Sequence, residues 1–326
     1  MTISPALRVD VHLDAVDLRQ ALADDARAGL TATPKELAPK WFYDERGCGL
    51  FDAITRLPEY YPTRRERAIL TARAEAVAGL ARADTLVELG AGTAEKTRLL
   101  LDALAGTGRL RRFVPFDVSE PTLVATGAAV AREYPGVEVH AVVGDLERHV
   151  PVLPDGGRRL FAFLGGTIGN LPPARRCRLL GQLRAAAAPG EALLLGTDLV
   201  KDVGRLEAAY DDDTGVTAEF NRNVLRVLNR QLRADFDPAR FEHVANFDAA
   251  NEWMEMHLRA ADDHAVTVAA LGLGVRFAAG EEMRTEISAK FRRHGVEAEL
   301  GAAGFELARW WTDPAGDFAV SLSLAV

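Results

Sequence analysis

Thr85-Leu86-Val87-Glu88-Leu89-Gly90-Ala91-Gly92-Thr93 decides the fold. A short apolar strand runs straight into two glycines spaced by one residue, and residues 96–104 continue as a helix. A strand that turns at once into a helix beside a ligand needs glycine, because a backbone without Cβ atoms allows close approach. The unit repeats downstream. Residues 113–117 predict a strand ending in Asp117, followed by a helix over 121–134. Residues 137–143 predict a strand ending in Gly144-Asp145, and 160–164 one ending in Gly165-Gly166-Thr167-Ile168-Gly169-Asn170. After a helix over 174–188, a fifth strand at 192–195 ends in Gly196-Thr197-Asp198. Five short apolar strands alternating with helices predict an α/β fold with a doubly wound, mostly parallel sheet.

On either side the alternation stops. Residues 12–30 have helical spacing, and Leu57-Pro58-Glu59-Tyr60-Tyr61-Pro62 reads as extended, since proline disfavours helix in the residue before it. A helix over 63–80 leads into the sheet. Residues 200–235 read as helices rich in Asn and Asp, and 241–291 as strands. A helix over 296–303 precedes strands at 306–312 and 318–324, whose turn Asp313-Pro314-Ala315-Gly316-Asp317 predicts an antiparallel hairpin. The expected division is a sheet domain of residues 65–200 with 291–326, and a second domain of 1–64 with 201–290.

Composition narrows the function classes. The 326 residues carry 39 basic and 47 acidic side chains, a net charge of −8, which weighs against a chain held broadly to nucleic acid or to an anionic membrane. Two cysteines, Cys48 and Cys177, exclude a disulfide scaffold and a multi-thiolate zinc site, and the seven histidines show no metal-ligand spacing. No metal is expected. The first twenty residues carry acids where a signal peptide needs a basic segment, and no apolar run reaches membrane-spanning length. A cytoplasmic chain follows from these features; they do not bear on oligomeric state, for which a monomer is the expectation. Only five of the basic residues are lysines, so each one invites inspection.

In an open parallel sheet, ligands bind beyond the carboxyl ends of the strands. Gly90 and Gly92 stand there, but Glu95 occupies the place of a third glycine and would repel a pyrophosphate at the helix start. Asp117 can accept hydrogen bonds from both ribose hydroxyls, and Asp145 can take the exocyclic amine of adenine. Each aspartate alone could equally cap the next helix. Acidic strand ends without a phosphate cradle suit S-adenosyl-L-methionine and disfavour NAD.

Long stretches carry a resemblance: GLTATPKELAPKWFYDERG (29–47), FDAITRLPEYYPTR (51–64), TLVELGAGTAEKTRLLLDA (85–103), RRFVPFDV (111–118), FLGGTIGNL (163–171), LLLGTDLVKD (193–202), AAYDDDTGVTAEFNRNVL (208–225), FAAGEEMRTEISAKF (277–291) and WWTDPAGDF (310–318). The chain resembles the ergothioneine-pathway histidine Nα-methyltransferases, which trimethylate the α-amine of free L-histidine to hercynine. The resemblance implies a class I S-adenosylmethionine-dependent methyltransferase fold with a second, substrate-binding domain. For S-adenosyl-L-methionine it implies Gly90, Lys96, Asp117, and Asp145 with Leu146, the last standing where many members carry Phe. For histidine it implies Tyr60, Gly165, Asn170 and Tyr210 around the amino-acid end, Glu286 and Ser288 on the imidazole, Met256 lining the pocket, and Tyr43 near the amine.

Glu286 and Ser288 also read independently. At i and i+2 on a strand they share a face, and a carboxylate with a hydroxyl can serve both ring nitrogens of an imidazole. An exposed strand face would produce the same alternation. A sulfonium methyl needs alignment and a neutral amine rather than a covalent nucleophile, so positioning by Tyr43 and Asn170 is expected, with no obligate base. Alternatives are methylation of another amino acid or small amine, and a protein that binds S-adenosylmethionine without turnover. An NAD-dependent oxidoreductase is disfavoured by Glu95.

Overall fold

The computed structural model describes residues 7–326. They begin with strand β1 (Leu7–Val11) and helices α1 (Ala15–Thr31), α2 (Glu45–Ile54) and α3 (Pro62–Ala81). Strands and helices then alternate: β2 (Thr85–Leu89), α4 (Arg98–Gly106), β3 (Arg112–Asp117), α5 (Glu120–Glu133), β4 (Glu138–Val143), β5 (Arg159–Phe163), α6 (Pro173–Ala186) and β6 (Ala192–Asp198). Next come α7 (Val203–Tyr210), α8 (Val216–Leu232), β7 (Phe241–Asp248), β8 (Trp253–Ala260), β9 (His264–Val268), β10 (Leu273–Phe277) and β11 (Glu282–Ala289). Helix α9 (Arg293–Ala303) and strands β12 (Phe305–Thr312) and β13 (Phe318–Ala325) follow.

Two compact units divide these elements. One comprises the described residues up to Asp14 with Arg64–Leu199 and Phe291–Val326. Its sheet has the order β1-β4-β3-β2-β5-β6-β13-β12, with every strand running the same way except β13, which is antiparallel to both of its neighbours, β6 and β12. Every residue of β2, β5 and β6 is buried, as strands covered on both faces require. Strand β2 has β3 on one side and β5 on the other, so the strand order reverses there. That reversal opens a crevice at the carboxyl ends, where doubly wound sheets bind ligands. The β12–β13 turn is tied as its sequence suggests: Asp313 Oδ1 accepts the N–H groups of Asp317 and Phe318, both at 2.8 Å.

Leu7–Val11 departs from the expected grouping of residues 1–64. It pairs in parallel with β4, from Leu7 opposite Val139 to Val11 opposite Val143. Five residues of alternating apolar and charged character suit a half-exposed edge strand. Residues 1–6 of the same expected segment lie outside the described residues.

The other unit, Ala15–Thr63 with Val200–Lys290, holds a three-stranded antiparallel sheet in the order β11-β8-β7 and the hairpin β9–β10. Helix α8 carries buried Phe220, Val224, Leu225 and Leu228 into a core shared with Phe42, Phe241, Leu258 and Phe277. Two buried asparagines on α8 explain the Asn-rich composition there. Asn223 Nδ2 donates to the Phe42 carbonyl at 3.1 Å and to Asp44 Oδ1 at 2.7 Å. Asn221 Nδ2 donates to the His257 carbonyl at 2.9 Å, while its Oδ1 accepts from the Thr285 hydroxyl at 2.6 Å.

Asp44 also caps α2, accepting the Gly47 N–H at 2.7 Å. A Cβ on Gly47 would lie 1.7 Å from the Phe42 carbonyl oxygen, a backbone atom that cannot rotate aside. Alanine is the better helix former by about 1 kcal/mol. Gly47→Ala is nonetheless expected to destabilise the chain by about 3 kcal/mol, because the overpacked helix must move away from Phe42. A denaturant midpoint equal to or above that of the parent would contradict this.

Candidate active site

The sheet unit gathers seven of the sequence-predicted residues. Gly90 and Gly92 have φ of 71° and 48°, so the left-handed backbone itself requires glycine at both. The N–H groups of Gly90 and Ala91 donate to the Phe116 carbonyl at 2.9 and 3.0 Å, tying the turn to the end of β3. Asp117 then accepts the Gly92 N–H at 3.0 Å on one carboxylate oxygen and the Ser119 N–H at 3.1 Å on the other. Burial raises the Asp117 carboxyl above its ordinary value, against the pull of these backbone N–H groups. Asp145, buried at the end of β4, accepts the Glu147 N–H at 2.9 Å and is followed by half-buried Leu146. Gly165 has φ of 79° and begins the turn that leads to Asn170 at the end of a short 3₁₀ helix.

Lys96 is ion-paired with Glu66, a fully buried residue of α3. The other oxygen of Glu66 accepts the Gly165 N–H at 2.8 Å. One carboxylate thus joins the lysine expected at the cofactor to the glycine expected at the substrate. Gly196 makes room for it, since a Cβ there would lie 2.1 Å from Glu66 Oε1. Glu88 is also buried, and its Oε1 accepts from the Thr97 hydroxyl. Burial pushes the Glu88 carboxyl up to about 8, with Glu66 and Asp117 adding to the rise and Thr97 and Lys96 opposing it. Its Oε2 has no hydrogen-bond partner among the described residues.

The second unit gathers the other six: Tyr43, Tyr60, Tyr210, Met256, Glu286 and Ser288. Strict alternation along β11 would put Glu286 on the outward face with Glu282 and Arg284. A β-bulge prevents it. Arg284 lies opposite His257 and Glu286 opposite Met256, so two steps on β11 match one on β8. The extra residue, Thr285, is pinned by its hydroxyl to Asn221 and, at 3.0 Å, to the Met256 carbonyl. Beyond the bulge Glu286 and Ser288 are 9% and 6% exposed, which rules out the exposed-face reading. Opposite residues of an antiparallel pair share a face, so Met256 flanks Glu286 as Met254 flanks Ser288.

Burial pushes the Glu286 carboxyl up to about 7, with Lys290 drawing it the other way. Tyr43 packs edge-on against Phe51 and Phe220, each at 5.5 Å between ring centroids, and Tyr60 lies 6.1 Å from Phe51. Burial raises the Tyr43 phenol well above its ordinary 10, and the charges of Glu286, Tyr60, Cys48 and Tyr210 act in the same direction. The Tyr210 hydroxyl donates to Ser288 Oγ at 2.7 Å, so this tyrosine touches the pair expected on the imidazole. The residues expected around histidine are therefore divided, with Gly165 and Asn170 on the sheet unit and the rest on the other.

A sequence profile described as "Histidine-specific methyltransferase, SAM-dependent" matches residues 22–325. The chain belongs to this family. It is 60% identical over 319 residues to the histidine N-alpha-methyltransferase of Mycobacterium tuberculosis (strain CDC 1551 / Oshkosh), covering 97% of this chain and 99% of that one. The histidine N-alpha-methyltransferase of Mycolicibacterium smegmatis is 59% identical over 313 residues, covering 96% and 98%. A fungal relative, ergothioneine biosynthesis protein 1 of Neurospora crassa, is 28% identical over 92% of this chain and 35% of its own. The sheet order, with its antiparallel β13 between β6 and β12, is the class I methyltransferase arrangement expected of the family. Among the described residues no helix is long and apolar enough to cross a membrane.

Three buried charged residues of this family member escaped the sequence reading. Glu66 sits among arginines on an ordinary helix, and nothing local marks it. Glu88 lies inside the deciding stretch, but Thr97 and Lys96 converge on it only in the fold. Lys290 did carry a signal. It is one of five lysines and continues the i, i+2 series of Glu286 and Ser288.

Proposed function

We propose that this chain is a cytoplasmic enzyme that transfers three methyl groups, one at a time, from S-adenosyl-L-methionine to the α-amine of free L-histidine. The product is hercynine, and the reaction is the first step of ergothioneine biosynthesis. The carrying observation is Glu286, a carboxyl only 9% exposed beside Ser288 and opposite Met256, whose burial a ligand able to hydrogen-bond to it would compensate. Family membership and 60% identity to a histidine N-alpha-methyltransferase support the same reading.

The sheet unit serves as the S-adenosylmethionine domain. Gly90, Lys96, Asp117, and Asp145 with Leu146 would hold that molecule, and buried carboxylates at the strand ends suit a cationic adenosine derivative. When bound, it supplies a methyl already activated on a sulfonium. The other unit serves as the substrate domain, where Tyr60, Tyr210, Met256, Glu286 and Ser288 would orient histidine; the family resemblance adds Gly165 and Asn170 to the residues proposed for its amino-acid end.

The remaining task is a neutral amine. A free α-amine is mostly protonated below about 8, so each round must release a proton. Tyr43, held as the neutral phenol, can orient the amine but is a poor resident base. Tyr43→Phe is therefore expected to slow the first methylation less than about tenfold at pH 8, since one neutral hydrogen bond contributes roughly 1 kcal/mol. Single-turnover kinetics would test this; near-complete loss of the first methylation with histidine affinity intact would make Tyr43 the base instead.

Mass spectrometry of the purified chain with S-adenosylmethionine and the twenty amino acids tests the function itself. Three methyls on histidine alone are expected. Methylation of a different amino acid alone would overturn the proposal.

A further inference from the structure

Lys290 is 3% exposed, just past the end of β11, where its N–H is fixed by the Glu252 carbonyl at 2.7 Å. Its ammonium donates to Ser288 Oγ at 2.9 Å and to the Tyr210 hydroxyl at 2.8 Å, lying 4.6 Å from the Tyr210 ring centroid. Tyr210 in turn donates to Ser288 Oγ at 2.7 Å. An ammonium can only donate, and a hydroxyl oxygen has two acceptor positions and one hydrogen. Both acceptor positions of Ser288 are thus taken, one by Lys290 and one by Tyr210. The Ser288 hydroxyl is left with its hydrogen alone to offer.

We infer that Lys290 is a positioning residue that makes Ser288 an obligate hydrogen-bond donor and so selects a single neutral tautomer of the substrate imidazole. The inference rests on the proposed function. The ring nitrogen facing Ser288 must carry a lone pair, and the nitrogen facing the Glu286 carboxylate must carry the hydrogen. An imidazolium has no lone pair to offer Ser288. A ring bearing a methyl on either nitrogen loses one of the two bonds. Specificity then comes from the direction of the hydrogen bonds as well as from pocket shape, and a mismatch leaves buried polar groups unpaired.

The test is ring-¹⁵N-labelled L-histidine bound in the presence of S-adenosylhomocysteine, followed by NMR. The parent protein should give one pyrrole-type and one pyridine-type nitrogen. Lys290→Met should bind histidine about tenfold more weakly, the scale of one charge-assisted hydrogen bond, and its two signals should move toward each other as both tautomers populate. With S-adenosylmethionine, the same variant should raise KM for histidine while changing kcat less than about threefold, because the amine is untouched. Lys290→Gln, which keeps a donor without the charge, should retain the two-signal spectrum. If Lys290→Met does not fold, Tyr210→Phe removes the other donor to Ser288 and should produce a partial collapse of the signals.

Parent-like affinity and spectrum in Lys290→Met, or in Tyr210→Phe where that variant carries the test, would overturn the inference while leaving the function standing. So would a parent spectrum with both nitrogens protonated, or a mixed spectrum in Lys290→Gln. Failure of histidine to bind the parent protein would overturn the function and this inference together.

Discussion

Glu286→Ala is expected to lower kcat/KM for histidine by at least about a hundredfold, and to erase most of the preference for histidine over amino acids without a second ring nitrogen. A site built to hydrogen-bond a polar group discriminates by factors of about 10⁴ against ligands that lack it, and loses that power when its own partner is removed. Glu286 is enclosed by Met256 across the strand pair, and among the groups described it offers the carboxylate of the polar pair. Steady-state kinetics with histidine and other amino acids would check this; a loss below tenfold would remove Glu286 from the site. The pH dependence has a definite sign. The carboxyl, ordinarily near 4.5, stands at about 7 in the fold. A raised carboxyl binds its proton more tightly when folded, so its contribution to stability is present below about 4.5 and lost as pH rises through about 7. Histidine needs the ionised form, so its affinity should rise over the same upper range. Glu286→Gln should therefore melt higher than the parent at pH 8, with the difference vanishing by pH 5.

Asp117→Asn is the second large effect, and it falls on the other reactant. Asp117 already binds two backbone N–H groups, of Gly92 and Ser119, one on each oxygen. Asparagine has a single acceptor oxygen, so in either flip its NH₂ faces one of those N–H groups. The Gly90–Ala91–Gly92 turn loses an anchor, and the ribose loses a charged acceptor. Each hydrogen bond to a charged group contributes about 1.5–3 kcal/mol, so S-adenosylmethionine should bind about a hundredfold more weakly. KM for histidine at saturating S-adenosylmethionine should change little. Isothermal titration with S-adenosylmethionine would decide, and binding within threefold of the parent would sink the assignment of Asp117.

The sheet was legible because its evidence is local. Thr85–Leu89 is built around Leu86, Val87 and Leu89 and runs straight into glycine, and every residue of it is buried. The hairpin of β12 and β13 followed from Asp313-Pro314-Ala315-Gly316-Asp317, whose first aspartate does tie the turn. Strand β1 was not read, because five residues, three half-buried and two exposed, leave too short an alternation to stand out beside the long helical pattern that follows. Buried Glu66 was invisible for a different reason: its partners Lys96 and Gly165 lie 30 and 99 residues away.

The sequence by itself determined the α/β class, the strand ends on which Gly90, Asp117 and Asp145 stand, and the family to which the chain belongs. These depend on contiguous residues, whose periodicity and terminal chemistry do not need the rest of the molecule. Only the tertiary structure decided that Glu286 points inward. Alternation alone sets it beside outward-facing Arg284, and the bulge at Thr285 reverses it. That bulge is held by Asn221, 64 residues earlier on a helix. A strand carries its own side-chain period, but where the period slips depends on what another element binds.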